Sequence, residues 1–149
     1  MGYMRTKIRI IIETVALLVV LCACFDNEQT RIVPYTPVRI EASLAEPQFS
    51  PLQIDGNAVL VRGEGYRGNG VIIYKHIGQV CAYDATCPNC LHASGSAVAV
   101  VLGGPADGFC TCPDCGARYV LLNGWAEGFE HPLQTYTAQI SGGYVRVSN

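Results

Sequence analysis

Two short segments constrain this chain more than any other feature: Cys87-Pro88-Asn89-Cys90 and Cys112-Pro113-Asp114-Cys115. Two residues between cysteines let a tight turn aim both sulfurs at one point. Proline presets the backbone for such a turn, and Gly116 after the second segment permits a close backbone approach. Two such knuckles facing each other supply four thiolates in a tetrahedron, the donor set of Zn²⁺ or iron at metal–sulfur distances of about 2.3 Å. The 21 residues between Cys90 and Cys112 include the apolar run Ala97–Leu102, which suits two loops at one end of a sheet. One CxxC is a weak signal; two with this spacing, both carrying proline, are a strong one.

The start of the chain reads as an address. Arg5, Lys7 and Arg9 precede an apolar run from Ile10 to Leu21, interrupted only by Glu13 and Thr14. The run is short of the roughly 20 residues needed to span a bilayer and has the layout of a secretory signal peptide. Leu21-Cys22-Ala23-Cys24 resembles the lipobox of bacterial lipoproteins. That resemblance implies a signal peptide over residues 1–23, cleavage before Cys24, and fatty acylation (palmitate among the chains) of Cys24. A multiply acylated cysteine is a stable membrane anchor. The expected address is the cell envelope of a Gram-negative bacterium, lipid-anchored at the periplasmic face or outer membrane. Without residues 1–23 the chain loses Arg5, Lys7, Arg9 and Glu13, and its formal charge moves from −2 to −4. An acidic chain with no basic run argues against nucleic acid, a partner that CxxC pairs otherwise suggest.

Residues 24–51 read as a lipidated N-terminus and tether. Its later part, with Ile32, Val33, Val38, Ile40 and Leu44, suits docking on the domain or a first edge strand. Residues 52–149 read as one all-β domain. Short β-branched and aromatic runs at Ala58–Val61, Val71–Lys75, Gln79–Tyr83, Ala97–Leu102, Gly108–Cys112, Arg118–Leu122, Gln134–Ile140 and Tyr144–Val147 alternate with Gly and Pro turns. Val71–Lys75 and Gln79–Tyr83 read as a hairpin. After the signal no segment of helix length has a 3.6-residue apolar period. The expected class is an antiparallel sandwich or small barrel carrying a rubredoxin-like two-knuckle subdomain.

The surroundings of the knuckles point to a family. Tyr83-Asp84-Ala85-Thr86-Cys87-Pro88 leads into the first. Cys112-Pro113-Asp114-Cys115-Gly116-Ala117-Arg118-Tyr119 forms the second. Asn123-Gly124, Pro132-Leu133-Gln134-Thr135-Tyr136 and Gly143-Tyr144-Val145-Arg146-Val147 follow. This pattern resembles Rieske-type iron–sulfur domains, in particular Rieske-like lipoproteins of Gram-negative bacteria, over roughly Leu52 to Asn149. The resemblance implies a Rieske-like fold, a 2Fe–2S cluster and electron transfer. It also carries a departure. Family members bind through two Cys and two His; here Cys87 and Cys112 match the two Cys, Cys115 stands where the second His belongs, and Asn89 with Cys90 stands at the first. Both histidines are thus replaced by cysteine, which removes the ligation that raises Rieske potentials. The alternative is a single Fe or Zn²⁺ in a site of Cys87, Cys90, Cys112 and Cys115. A second register, Cys90-Leu91-His92, offers His92 as an alternative ligand with Cys90, Cys112 and Cys115.

Cys81 and Cys110 remain, on strands leading toward the two knuckles. They are either a disulfide stapling the loops in an oxidising compartment or two unpaired thiols; a third arrangement turns all six cysteines into disulfides. Two functions follow. One is electron transfer at a membrane surface with a redox partner of the envelope. The other is a non-redox binding module whose Cys₄ Zn²⁺ site serves only to fold its loops. An enzyme is not expected: a Rieske oxygenase needs a further iron held by two His and a carboxylate, this chain has three His, and no nucleophile–base motif assigns a catalytic residue.

Overall fold

A computed structural model describes residues 31–149. The expected signal peptide and the lipidation site Cys24 lie outside the described residues. Among the described residues, nine strands form two antiparallel sheets. The larger contains β1 (Arg39–Ser43), β2 (Ala58–Val61), β3 (Val71–His76), β4 (Gln79–Asp84), β8 (Thr135–Ser141) and β9 (Tyr144–Ser148), ordered β1-β9-β8-β4-β3-β2. The smaller contains β5 (Val101–Leu102), β6 (Phe109–Thr111) and β7 (Arg118–Val120) in sequence order, and sits in the chain between β4 and β8.

The large sheet curls because β8 changes partner along its length. Thr135 and Tyr136 pair with Tyr83 and Ala82 of β4, while Thr137–Ser141 pair with β9. The lead-in joins this sheet: all five residues of β1 pair with β9, from Arg39 opposite Ser148 to Ser43 opposite Tyr144. Residues 31–51 therefore belong to the folded unit, which begins at Arg31.

Strand β3 lies between two cores, and its sequence shows why. Successive side chains of a strand point to opposite faces. Val71 and Ile73 face a core with Val38, Leu52, Val59 and Val147, whereas Ile72 and Tyr74 face a second with Cys110, Tyr119, Leu121 and Leu133. Both faces being covered, the strand reads as an uninterrupted apolar run rather than an alternating one. The second core joins the large sheet to the small one and encloses the knuckles.

One expectation is corrected. The first knuckle is a short helix, α1 (Pro88–Ser94), and not a tight turn. Pro88 occupies its first turn and Gly95 closes it in the left-handed conformation, with the Gly95 N–H bonded to the Leu91 carbonyl. Proline at the start and glycine just past the end is the usual signature of a helix, but seven residues are too few for a visible apolar period. Of the expected strand Ala97–Leu102, only Val101–Leu102 is regular; Ala97–Val100 instead clasps the first knuckle, with Thr86 bridged to Ala99.

Asp84, fully buried at the end of β4, fastens three segments. It accepts hydrogen bonds from the Tyr66 N–H at 2.7 Å, the Thr86 N–H at 2.8 Å and the Tyr136 hydroxyl at 2.6 Å. Burial, and then Asp84 itself, push the Tyr136 hydroxyl well above its ordinary ionisation range, so it stays a donor. Gly65 closes over this carboxylate with φ of 74°. A Cβ there would lie 2.7 Å from Asp84 Oδ2 and 2.8 Å from the Gly70 carbonyl oxygen. Gly65→Ala is therefore expected to cost about 2–4 kcal/mol, combining left-handed strain with overpacking; urea denaturation measures it, and a cost under about 0.5 kcal/mol would remove the close approach from the account.

Candidate metal centre

The four knuckle cysteines converge. The sulfurs of Cys87, Cys90, Cys112 and Cys115 all lie within 4.8 Å of one another. Across the knuckles, Cys87 and Cys115 are 3.7 Å apart and Cys90 and Cys112 are 3.5 Å apart.

Local backbone bonds create this convergence. Cys87 sits at the N-cap of α1, and its N–H donates to the Val98 carbonyl at 2.8 Å. Cys90 follows within the first turn of that helix. In the second knuckle, the hairpin between β6 and β7, the Cys112 N–H donates to the Ala117 carbonyl at 2.8 Å and the Gly116 N–H to the Cys112 carbonyl at 3.0 Å. Gly116 takes φ of 74°, which its lack of a Cβ permits. Asn69 supports the first knuckle from outside, its amide donating to Thr86 Oγ1 at 2.9 Å and the Ala97 carbonyl at 3.1 Å.

Three of the sulfur-bearing residues are buried and Cys115 is exposed. Burial pushes the Cys87 and Cys90 thiols up, and the neighbouring sulfurs add to the rise at Cys90. At Cys115 burial acts upward too, but the Ala117 N–H and the other three thiols outweigh it and the net shift is down. A cation among the four sulfurs would offset the mutual repulsion of their thiolates. Metal binding supplies that cation and releases the protons.

A second layer holds the first knuckle. The Tyr119 hydroxyl lies 3.2 Å from Cys87 Sγ, and the Asn89 amide nitrogen donates to the Tyr119 oxygen at 2.7 Å. Asn89 also bonds the segment that leads into β8 twice, donating to the His131 carbonyl at 2.9 Å and accepting from the His131 N–H at 3.2 Å. These contacts cross 30 and 42 residues of sequence and no local pattern discloses them. The one signal in the sequence was the position of Asn89 at a slot where the Rieske-type pattern that the sequence resembles has a ligand.

His92 stands outside the gathered sulfurs. It lies in the last turn of α1, with its ring centroid 4.4 Å from that of His131. Cys81 and Cys110 are both free thiols. Cys81 Sγ is directed at the Leu122 carbonyl at 3.8 Å, while Cys110 is fully buried on β6 with its thiol pushed up to about 12 by burial. A groove of about 550 Å³ flanks Cys115, lined by His92, Asp114, Phe129, Glu130 and His131.

No protein-family model and no curated protein matches the chain. Solved structures do. The apo form of a quaternary ammonium Rieske monooxygenase superposes with a TM-score of 0.51 at 16% identity, covering 80% of this chain and 34% of that one. The cyanobacterial plasma membrane Rieske protein of Synechocystis covers 72% of this chain and 97% of its own, with 20% identity and a TM-score of 0.49. The ferredoxin of carbazole 1,9a-dioxygenase from Nocardioides aromaticivorans covers 76% and 97%, with 21% identity and a TM-score of 0.44. The fold is Rieske-like. Among the described residues, this Rieske-like domain gathers four cysteine sulfurs, and no histidine nitrogen, where its two knuckles meet.

Proposed function

We propose that this chain is an electron-transfer protein in which Cys87, Cys90, Cys112 and Cys115 hold a redox-active iron centre. The observation that carries the reading is the arrangement of the sulfurs: four converge, three are buried, and Cys115 reaches the surface. A buried thiolate set binds tightly and excludes competing ligands. An exposed sulfur offers an electron a short path to a partner.

The spacing bears on nuclearity. Bonds of about 2.3 Å in a regular tetrahedron put sulfurs about 3.8 Å apart. The cross-knuckle distances of 3.5 and 3.7 Å match that edge. Every other sulfur pair also lies within 4.8 Å, so the residues fit one ion. A 2Fe–2S cluster divides its four ligands between two irons joined by sulfides, and the knuckles would have to separate to admit it. Iron held by Cys87, Cys90, Cys112 and Cys115 would supply one-electron chemistry at the site. The protein's own contributions would be to gather the four sulfurs, keep bulk water from three of them and set the Tyr119 hydroxyl 3.2 Å from Cys87 Sγ. A lipid anchor on Cys24 would hold the domain at a membrane of the envelope, within reach of a redox partner there.

The test is reversible one-electron chemistry. Protein purified aerobically should show thiolate-to-iron absorption that one equivalent of reductant bleaches and air restores. A colourless protein holding stoichiometric zinc would replace this reading with the structural one.

A further inference from the structure

We infer that Asn89 is a positioning residue that compels the Tyr119 hydroxyl to donate its proton toward Cys87. The inference rests on the reading of the four cysteines as metal ligands and extends it to how one thiolate is tuned.

An Asn amide has one end that only accepts and one that only donates, and its orientation is read from its partners. The backbone of His131 supplies both partners: its N–H reaches Asn89 Oδ1 at 3.2 Å and its carbonyl receives Asn89 Nδ2 at 2.9 Å. A flipped amide would set donor against donor and acceptor against acceptor. The orientation is thus fixed, and the second N–H of Nδ2 is the group facing Tyr119 Oη at 2.7 Å. Tyr119 Oη must accept that bond. Its own hydrogen cannot point back at Asn89 and is left to Cys87 Sγ, 3.2 Å away. Tyr119 is fully buried, which removes water as a competing acceptor. The order of donation runs from Asn89 to Tyr119 to Cys87.

A hydrogen bond to a thiolate withdraws electron density from sulfur and favours the more reduced metal. Asn89 therefore acts on the centre without touching it. It stands where the family resemblance places a ligand, and here it orients a donor beside the centre.

Cobalt(II) is a suitable probe, because its sulfur-to-metal charge-transfer band reports thiolate electron density whatever the native metal. In the cobalt-loaded protein, Tyr119→Phe should move that band to lower energy. Asn89→Asp should do the same, since a carboxylate accepts the tyrosine proton and draws it from Cys87. The added charge of Asp contributes a shift of its own, which the Tyr119→Phe background isolates. The Asn89→Asp shift should be clearly smaller in that background than in the wild type. Asn89→Leu, uncharged, should give a partial shift of the same sign. Equal Asn89→Asp shifts in the two backgrounds, or a lowered melting temperature with an unmoved band, would make Asn89 merely a loop anchor. A wild-type protein with no sulfur-to-cobalt band would fail at an earlier step, because the four-cysteine reading itself would then be wrong.

Discussion

Replacement of Cys112 by serine should abolish metal retention. Cys112 is 1% exposed, its sulfur lies 3.5 Å from that of Cys90, and its N–H and carbonyl both close the second knuckle. Serine keeps the size but substitutes a harder oxygen that is not ionised near neutral pH, leaving three thiolates for a soft ion. Even outer groups around a metal site alter affinity by about 10–100-fold, so loss of a direct ligand should cost at least about 100-fold. Dialysis against a chelator, followed by metal analysis, reads this directly. Cys81→Ser is the control: Cys81 is on β4, outside the four-sulfur set, and bonds the Leu122 carbonyl. Metal should be lost from Cys112→Ser and kept by Cys81→Ser. The reverse pattern would move the site elsewhere.

Asp84→Ala should destabilise the domain by about 3–5 kcal/mol, because it strands three donors in a buried position. Two of them, the Tyr66 and Thr86 N–H groups, are backbone and cannot turn away; the third is the Tyr136 hydroxyl. Thr86 immediately precedes Cys87, so the first knuckle should loosen along with the sheet and metal affinity should fall. Asp84→Asn separates charge from geometry. An amide oxygen can keep the Tyr66 and Tyr136 bonds, but its NH₂ then meets the Thr86 N–H head-on. The cost should be about 1–3 kcal/mol. Urea titrations of both variants, with and without metal, check the order. An Asp84→Ala cost below about 1 kcal/mol would mean that the three donors find other partners.

What the chain's sequence disclosed depended on how far each interaction reaches. The knuckles were legible because their chemistry lies in residue identity and local spacing: C-P-x-C twice, with Gly116 beside the second. The Val71–Lys75 and Gln79–Tyr83 hairpin was legible because Ile77-Gly78 makes a local turn, and the pair runs in register from Val71 opposite Asp84 to His76 opposite Gln79. Helix α1 was hidden by its length. The structural parts of Asn89, Tyr119 and Asp84 were hidden because their partners are distant: His131 is 42 residues from Asn89 and Tyr136 is 52 from Asp84. Only the fold brings such pairs together. β1 was legible as a candidate edge strand, yet its pairing with β9 joins opposite ends of the described chain.

On the proposed function, four cysteines on a Rieske-like scaffold enclose a single redox-active ion. Its most direct test is iron, zinc and acid-labile sulfide analysis of protein purified without added metal. One iron per chain with no labile sulfide is the expected result. Two irons with two sulfides would contradict the single-ion geometry while preserving the electron carrier. Zinc alone would contradict the electron carrier as well.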